Sequence, residues 1–180
     1  QQLFPRGTPY FDHLAMFPSL AKQNMFMTDW GIDLYRNNEL PRLRETMARV
    51  AVPLVVEDHP MFTQALRGEM EQFRVYDDAD IAALRSNYVA FWGPFWLAGH
   101  QVAAGSGELR FDLLVPGPYT LSGGALTIDG VAHQNGDVIE LARGPHAITG
   151  PRSAPATLLW GKHLHAPDRA PPPQPWFVDF

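Results

Sequence analysis

Near residue 100 the hydrophobic period of the chain changes, and this change most constrains what the chain can fold into. Before it, Leu40, Leu43, Met47 and Val50 recur at helical spacing, as do Ile81, Leu84, Tyr88 and Phe91. Such spacing lines one face of a helix. After it, Leu109, Phe111 and Leu113 alternate with Arg110 and Asp112. That period of two lines one face of a strand. Tyr119-Thr120-Leu121, Leu126-Thr127-Ile128, Val138–Leu141, His146-Ala147-Ile148 and Thr157–Trp160 continue the series. Turns at Pro116-Gly117, Gly123-Gly124, Asp129-Gly130, Asn135-Gly136 and Gly144-Pro145 punctuate it. Short strands roughly 8–12 residues apart indicate a β-sandwich or jelly-roll. The expected fold class is therefore α+β. An α/β subdomain covers 1–98 and a β-sandwich subdomain covers 99–180. A proline-rich strap from Ala166 to Pro175 closes the second, with Trp176, Phe177 and Phe180 placed to dock it.

Within the first half, residues 1–24 read as an irregular aromatic lead-in and Asn24–Asp29 as a first strand. Asn37 or Asn38 is the expected cap of a helix with Pro41 in its first turn. Val52–Val56 is apolar on both faces, as buried parallel strands are. A short helix from Met61 to Leu66 stops at Gly68. This order is a small βαβ unit, whose two strands should be parallel neighbours with a right-handed crossover. Asp77 and Asp78 open a further helix, expected to run to Trp92-Gly93-Pro94 with Gly93 as left-handed C-cap.

The formal net charge of −5 argues against a nucleic-acid partner, since such proteins need a basic face to displace counterions from phosphates. The chain has no cysteine, so disulfides, thiolate nucleophiles and Cys-ligated zinc are excluded. The most apolar stretch, Val89–Gly99, is about half of the ~20 residues that a bilayer span needs. The first residues carry neither the basic nor the apolar region of a signal peptide.

Four groups of residues can carry chemistry. Glu57-Asp58-His59 follows a predicted strand, and Asp29 follows another. Ligand sites in open α/β sheets lie beyond the carboxyl ends of strands. Two carboxylates and an imidazole can bind a cation or share a proton. The plainer reading is a polar turn with Asp58 capping the helix that begins at Pro60-Met61. His163-x-His165 has strand spacing for a metal, but no carboxylate accompanies it, so an exposed pair is expected. Gly136-Asp137 through Gly144-Pro145-His146 has a cupin-like look. Ala142 replaces the usual proline, and His133 is a poor substitute for the missing upstream ligands. Finally, Phe91, Trp92, Phe95 and Trp96 either bind a sugar face or form the seam between the two halves. Trp30 and Tyr35 pose the same question.

The order of a βαβ unit, the stretch YVAFWGPFWLAG (Tyr88–Gly99), then LLVPGPYTLSGGALTIDG and GDVIELARGPHAI, resembles a known class. It is similar to the soluble C-terminal region of bacterial membrane glycosyltransferases that use polyprenyl-phosphate sugars, the dolichyl-phosphomannose transferase-like class. The resemblance implies a non-catalytic, periplasmic or otherwise extracytoplasmic accessory domain, tethered by the transmembrane part of the same polypeptide. The family's reactive carboxylate lies among membrane helices, so no catalytic residue carries over to this chain; no cofactor and no metal are expected. The partners would be those helices and a lipid-linked sugar or glycan. Asp29, Glu57, Asp58, His59 and Trp96 are the expected contact surface. A free-standing carbohydrate-binding module and a small cupin-like metal-dependent enzyme are the alternatives.

Overall fold

The computed structural model describes residues 4–25 and 28–171. In chain order the strands are β1 (Pro9–Phe11), β2 (Ala21–Lys22), β3 (Leu54–Val56), β4 (Tyr88–Trp92), β5 (Phe95–Val102) and β6 (Leu109–Leu113). They continue with β7 (Gly117–Gly123), β8 (Leu126–Ile128), β9 (Val131–His133), β10 (Val138–Leu141), β11 (Gly144–Thr149) and β12 (Ala156–Trp160). The helices among the described residues are α1 (Asp29–Arg36), α2 (Leu43–Arg49), α3 (Pro60–Arg67) and α4 (Asp78–Asn87), with a short 3-10 turn at Glu71–Phe73.

The fold is α+β, with a large curled sheet and a second smaller one. The larger has the order β10-β7-β12-β5-β3-β1-β2, and β4 also pairs with β5. The smaller runs β6-β11-β8-β9. One large core cluster joins Tyr35, Met47, Phe62 and Leu84 of the helices to Leu113, Leu121, Ile128, Ile148 and Leu158 of the strands. A smaller cluster holds Tyr10, Leu54, Val56 and Leu97. Residues 98 and 99 both belong to β5. Its first half pairs with β3 and β4, its second half with β12.

The expected parallel pair exists, but β3 pairs in parallel with β1 rather than with Asn24–Asp29. The lead-in thus supplies β1 and β2, which are also parallel to each other. Asn24 is held by side-chain bonds to the backbone of Asp12, while residues 26 and 27 lie outside the described ones. Asp29 opens α1, because the Thr28 hydroxyl caps it by accepting from the Gly31 amide at 3.2 Å and an acidic first turn suits the helix dipole.

The two asparagines end α1 instead of starting α2. Asn37 is its C-cap and Asn38 takes a left-handed φ of 61°, a role in which Asn stands second to Gly. The start of α2 is capped from a distance. Buried Asp80 of α4 accepts from the amides of Leu43 (3.0 Å) and Arg44 (2.9 Å) and from the Tyr35 hydroxyl. Helix α4 is shorter than its apolar stripe suggests. It ends at Asn87, and Tyr88–Trp92 becomes a strand whose partner β5 follows after Gly93-Pro94. Gly93 therefore serves a hairpin turn and not a C-cap. Aromatic and β-branched residues favour the pleated surface, and pairing with β5 decides between the two periods.

In the second half, β8 and β10 begin and end where the pattern placed them. Asp129 and Gly130, with φ of 51° and 82°, form the two-residue turn between β8 and β9, as left-handed hairpin turns require. Gly144-Pro145 is not a turn but the start of β11. The strap is described as far as Pro171. Its Arg169 carbonyl accepts from the Trp92 indole at 2.9 Å. Trp176, Phe177 and Phe180 lie outside the described residues.

Candidate functional site

The parallel strands β1 and β3 are both followed by an Asp-His pair: Asp12-His13 directly after β1, and Asp58-His59 one residue past β3. Parallel pairing brings the two together. Asp58 accepts from the amides of His13 and Leu14, both at 2.8 Å. Burial raises its pKa and these two amides oppose the rise. It does not cap α3. His59 does so, its Nδ1 accepting from the Met61 amide at 3.2 Å, with Pro60 at the first helical position, where a missing N–H costs nothing.

Asp12 anchors the loop on the other side. It is fully buried and pairs with Lys22 at 2.5 Å. It also accepts from the Met16 amide at 2.9 Å. Burial lowers the Lys22 pKa and Asp12 resists that. The His13 and His59 rings, held between these anchors, sit 4.1 Å apart. Burial, then the neighbouring His13, drops the His59 pKa to about 4. The ring is therefore neutral at pH 7. With Nδ1 accepting, its proton resides on Nε2.

Beyond these rings lies a crevice of about 460 Å³. One wall is a stripe of α1: Asp29, Ile32, Asp33 and Arg36, spaced for one helical face. The opposite wall is Phe73 with Gln72 and Arg74. Phe73 is 39% exposed, and its ring meets the edge of His59 at 6.3 Å. Among the described residues the side chains of Asp29, Asp33 and Arg36 make no hydrogen bond or ion pair. Arg74 is already paired with Glu71 and Asp78.

The five expected contact residues thus divide. Asp29 and His59 line the crevice, and Asp58 holds its floor from behind. Glu57 and Trp96 face elsewhere. Glu57 receives a forked pair of bonds from Arg67 and a third, at 2.8 Å, from the Trp96 indole. Arg67 lies over the Trp96 ring at 5.0 Å. This set ties β5 to α3 and engages both oxygens of Glu57. Trp96 instead borders a separate cleft with His100, Arg85 and Ser86. Of the other aromatics, Phe91 and Phe95 pack on the smaller core cluster and Trp92 stacks on Phe95 at 6.3 Å. Tyr35 is core, whereas Trp30 is 72% exposed.

The metal readings find no support in the geometry. No group of three or more His, Asp or Glu among the described residues is placed to hold a metal. His163 has a φ of 54° and is exposed, as is His165. His146 gives its Nδ1 to Asp129 (2.6 Å) and its Nε2 to the Ala142 carbonyl (2.8 Å), so both ring nitrogens are occupied by acceptors.

Sequence reasoning missed His13, Asp33, Arg36 and Phe73. The signal for His13 was the repeated Asp-His after an apolar triplet. Phe73 lacked any local signal, because only the fold brings the 3-10 turn opposite α1. No helix among the described residues is long and apolar enough to cross a membrane. No protein-family model, curated protein or solved structure matches the chain.

Proposed function

We propose that this chain is a non-catalytic, extracytoplasmic accessory domain of a membrane glycosyltransferase that presents a lipid-linked sugar or an acceptor glycan. One observation carries the reading: the crevice at the carboxyl ends of β1 and β3. Its volume falls in the range of small-molecule sites, roughly 300–1,000 Å³. Its lining combines the Phe73 ring with Asp29, Asp33 and Arg36, whose side chains make no hydrogen bond or ion pair among the described residues. Sugar rings have the matching chemistry, a C–H face for the aromatic and hydroxyls that both give and accept protons. The position agrees with the general placement of ligands in parallel sheets.

The test has two parts. The reading frame upstream of Gln1 should encode several apolar spans of about 20 residues. In that intact protein, Phe73→Ala should lower sugar transfer severalfold while expression holds. A reading frame without such spans removes the transferase and leaves a free-standing carbohydrate-binding module. Unchanged transfer in the variant removes the crevice from the function.

A further inference from the structure

Resting on the reading of the crevice as a sugar site, we infer that it takes an uncharged pyranose ring and rejects anionic ligands, uronic acids and free phosphate included. The formal charges along the α1 wall decide this. Asp29 and Asp33 present two carboxylates without a partner among the described residues, one turn apart on α1. Arg36 presents one guanidinium, likewise without a partner among the described residues. Arg74, the second guanidinium, is neutralised by both Glu71 and Asp78. His59 is held neutral by burial and adds a donor without a charge. Two carboxylates against one guanidinium leave the α1 wall, Asp29, Asp33 and Arg36, with a formal charge of −1.

A neutral polyol has the chemistry to meet each of these groups. Its hydroxyls donate to Asp29 and Asp33 and accept from Arg36 and the His59 Nε2–H, while its C–H face covers Phe73. A carboxylate or phosphate in the same place faces two like charges, and like-charge juxtaposition is how sites exclude wrong partners. For a lipid-linked sugar the consequence is an orientation. The sugar ring, or the acceptor, enters the crevice, and the phosphate stays outside it.

Amide-resolved NMR titrations of the chain with matched probes test this: glucose, galactose and mannose, glucuronate and galacturonate, and inorganic phosphate. The shifts of Asp33, His59 and Phe73 are followed. At least one hexose should move them, with an affinity about fivefold or more above that of its uronic acid. Asp29→Asn combined with Asp33→Asn should bring the two within about twofold. Both positions are exposed, so folding is not at stake. A uronic acid or phosphate that binds these residues as tightly as the hexoses overturns the inference and leaves the sugar reading standing. So does a preference that survives the double variant. Absence of hexose shifts at all three residues overturns the sugar reading and the inference with it.

Discussion

A few single side chains decide the local geometry. Asp80 is the clearest. Its carboxylate is fully buried and serves three donors from two other elements. Truncation takes away the carboxylate that the Tyr35 hydroxyl and the buried Leu43 amide donate to, a costly loss inside the core. Asp80→Ala is expected to cost about 3 kcal/mol, read as a lower urea midpoint with an unchanged slope. His146 gives a pH-dependent counterpart. Burial pulls its pKa down, but the Ala142 carbonyl and the Asp129 carboxylate outweigh this and leave it raised. The Asp129 pKa is lowered, chiefly by the His146 hydrogen bond. A raised histidine stabilises the fold fully below its unfolded pKa of about 6.5, and the gain fades as pH rises through the folded value. A lowered aspartate contributes above about 3.9 and loses that as pH falls. His59 and His100, each depressed to about 4 by burial, act in the opposite sense to His146, since the unfolded chain takes up their protons first. The pair is therefore isolated as a difference. Wild type minus Asp129→Asn should be most stable near pH 5–6 and the gap should shrink toward pH 8. A gap that grows with pH would show that His146 is neutral.

At the level of elements, backbone proximity sets the tolerances. Gly99 lies where β5 meets β12, and a Cβ there would sit 2.6 Å from the Leu158 carbonyl oxygen. Gly99→Ala should cost about 2 kcal/mol through overpacking and lower the thermal midpoint. Wild-type stability in that variant would mean that the two strands separate easily. The elements most legible in the sequence were those with their own punctuation. Strand β8 lies between Gly123-Gly124 and the Asp129-Gly130 turn, β10 follows Asn135-Gly136, and α3 lies between Pro60 and the left-handed Gly68. Elements settled by partners far along the chain were misread. Tyr88–Trp92 continues a helical stripe, yet pairing with β5 makes it a strand. Asn37 and Asn38 have the chemistry of an N-cap, but a carboxylate about forty positions away already caps α2. The site followed the same rule. Glu57-Asp58-His59 was visible as polar residues after an apolar strand. That Glu57 turns inward to Arg67 while His59 turns outward depends on α3, which no spacing reveals.

Across the whole molecule, the larger sheet runs without interruption from β2 to β10, and the main core draws on helices and both sheets. Unfolding should therefore be one cooperative event, with far-UV circular dichroism and tryptophan fluorescence superimposing along a urea titration. A fragment ending at residue 98 divides β5 and should fail to fold; a fragment with native-like amide dispersion would show that the first half is autonomous. The Asp58 fork has its own bearing on this larger scale. By stitching the exit of one parallel strand to that of its neighbour, it fixes the floor of the receptacle. A guest then pays little to organise its host, and fast docking with small structural change is the expected behaviour.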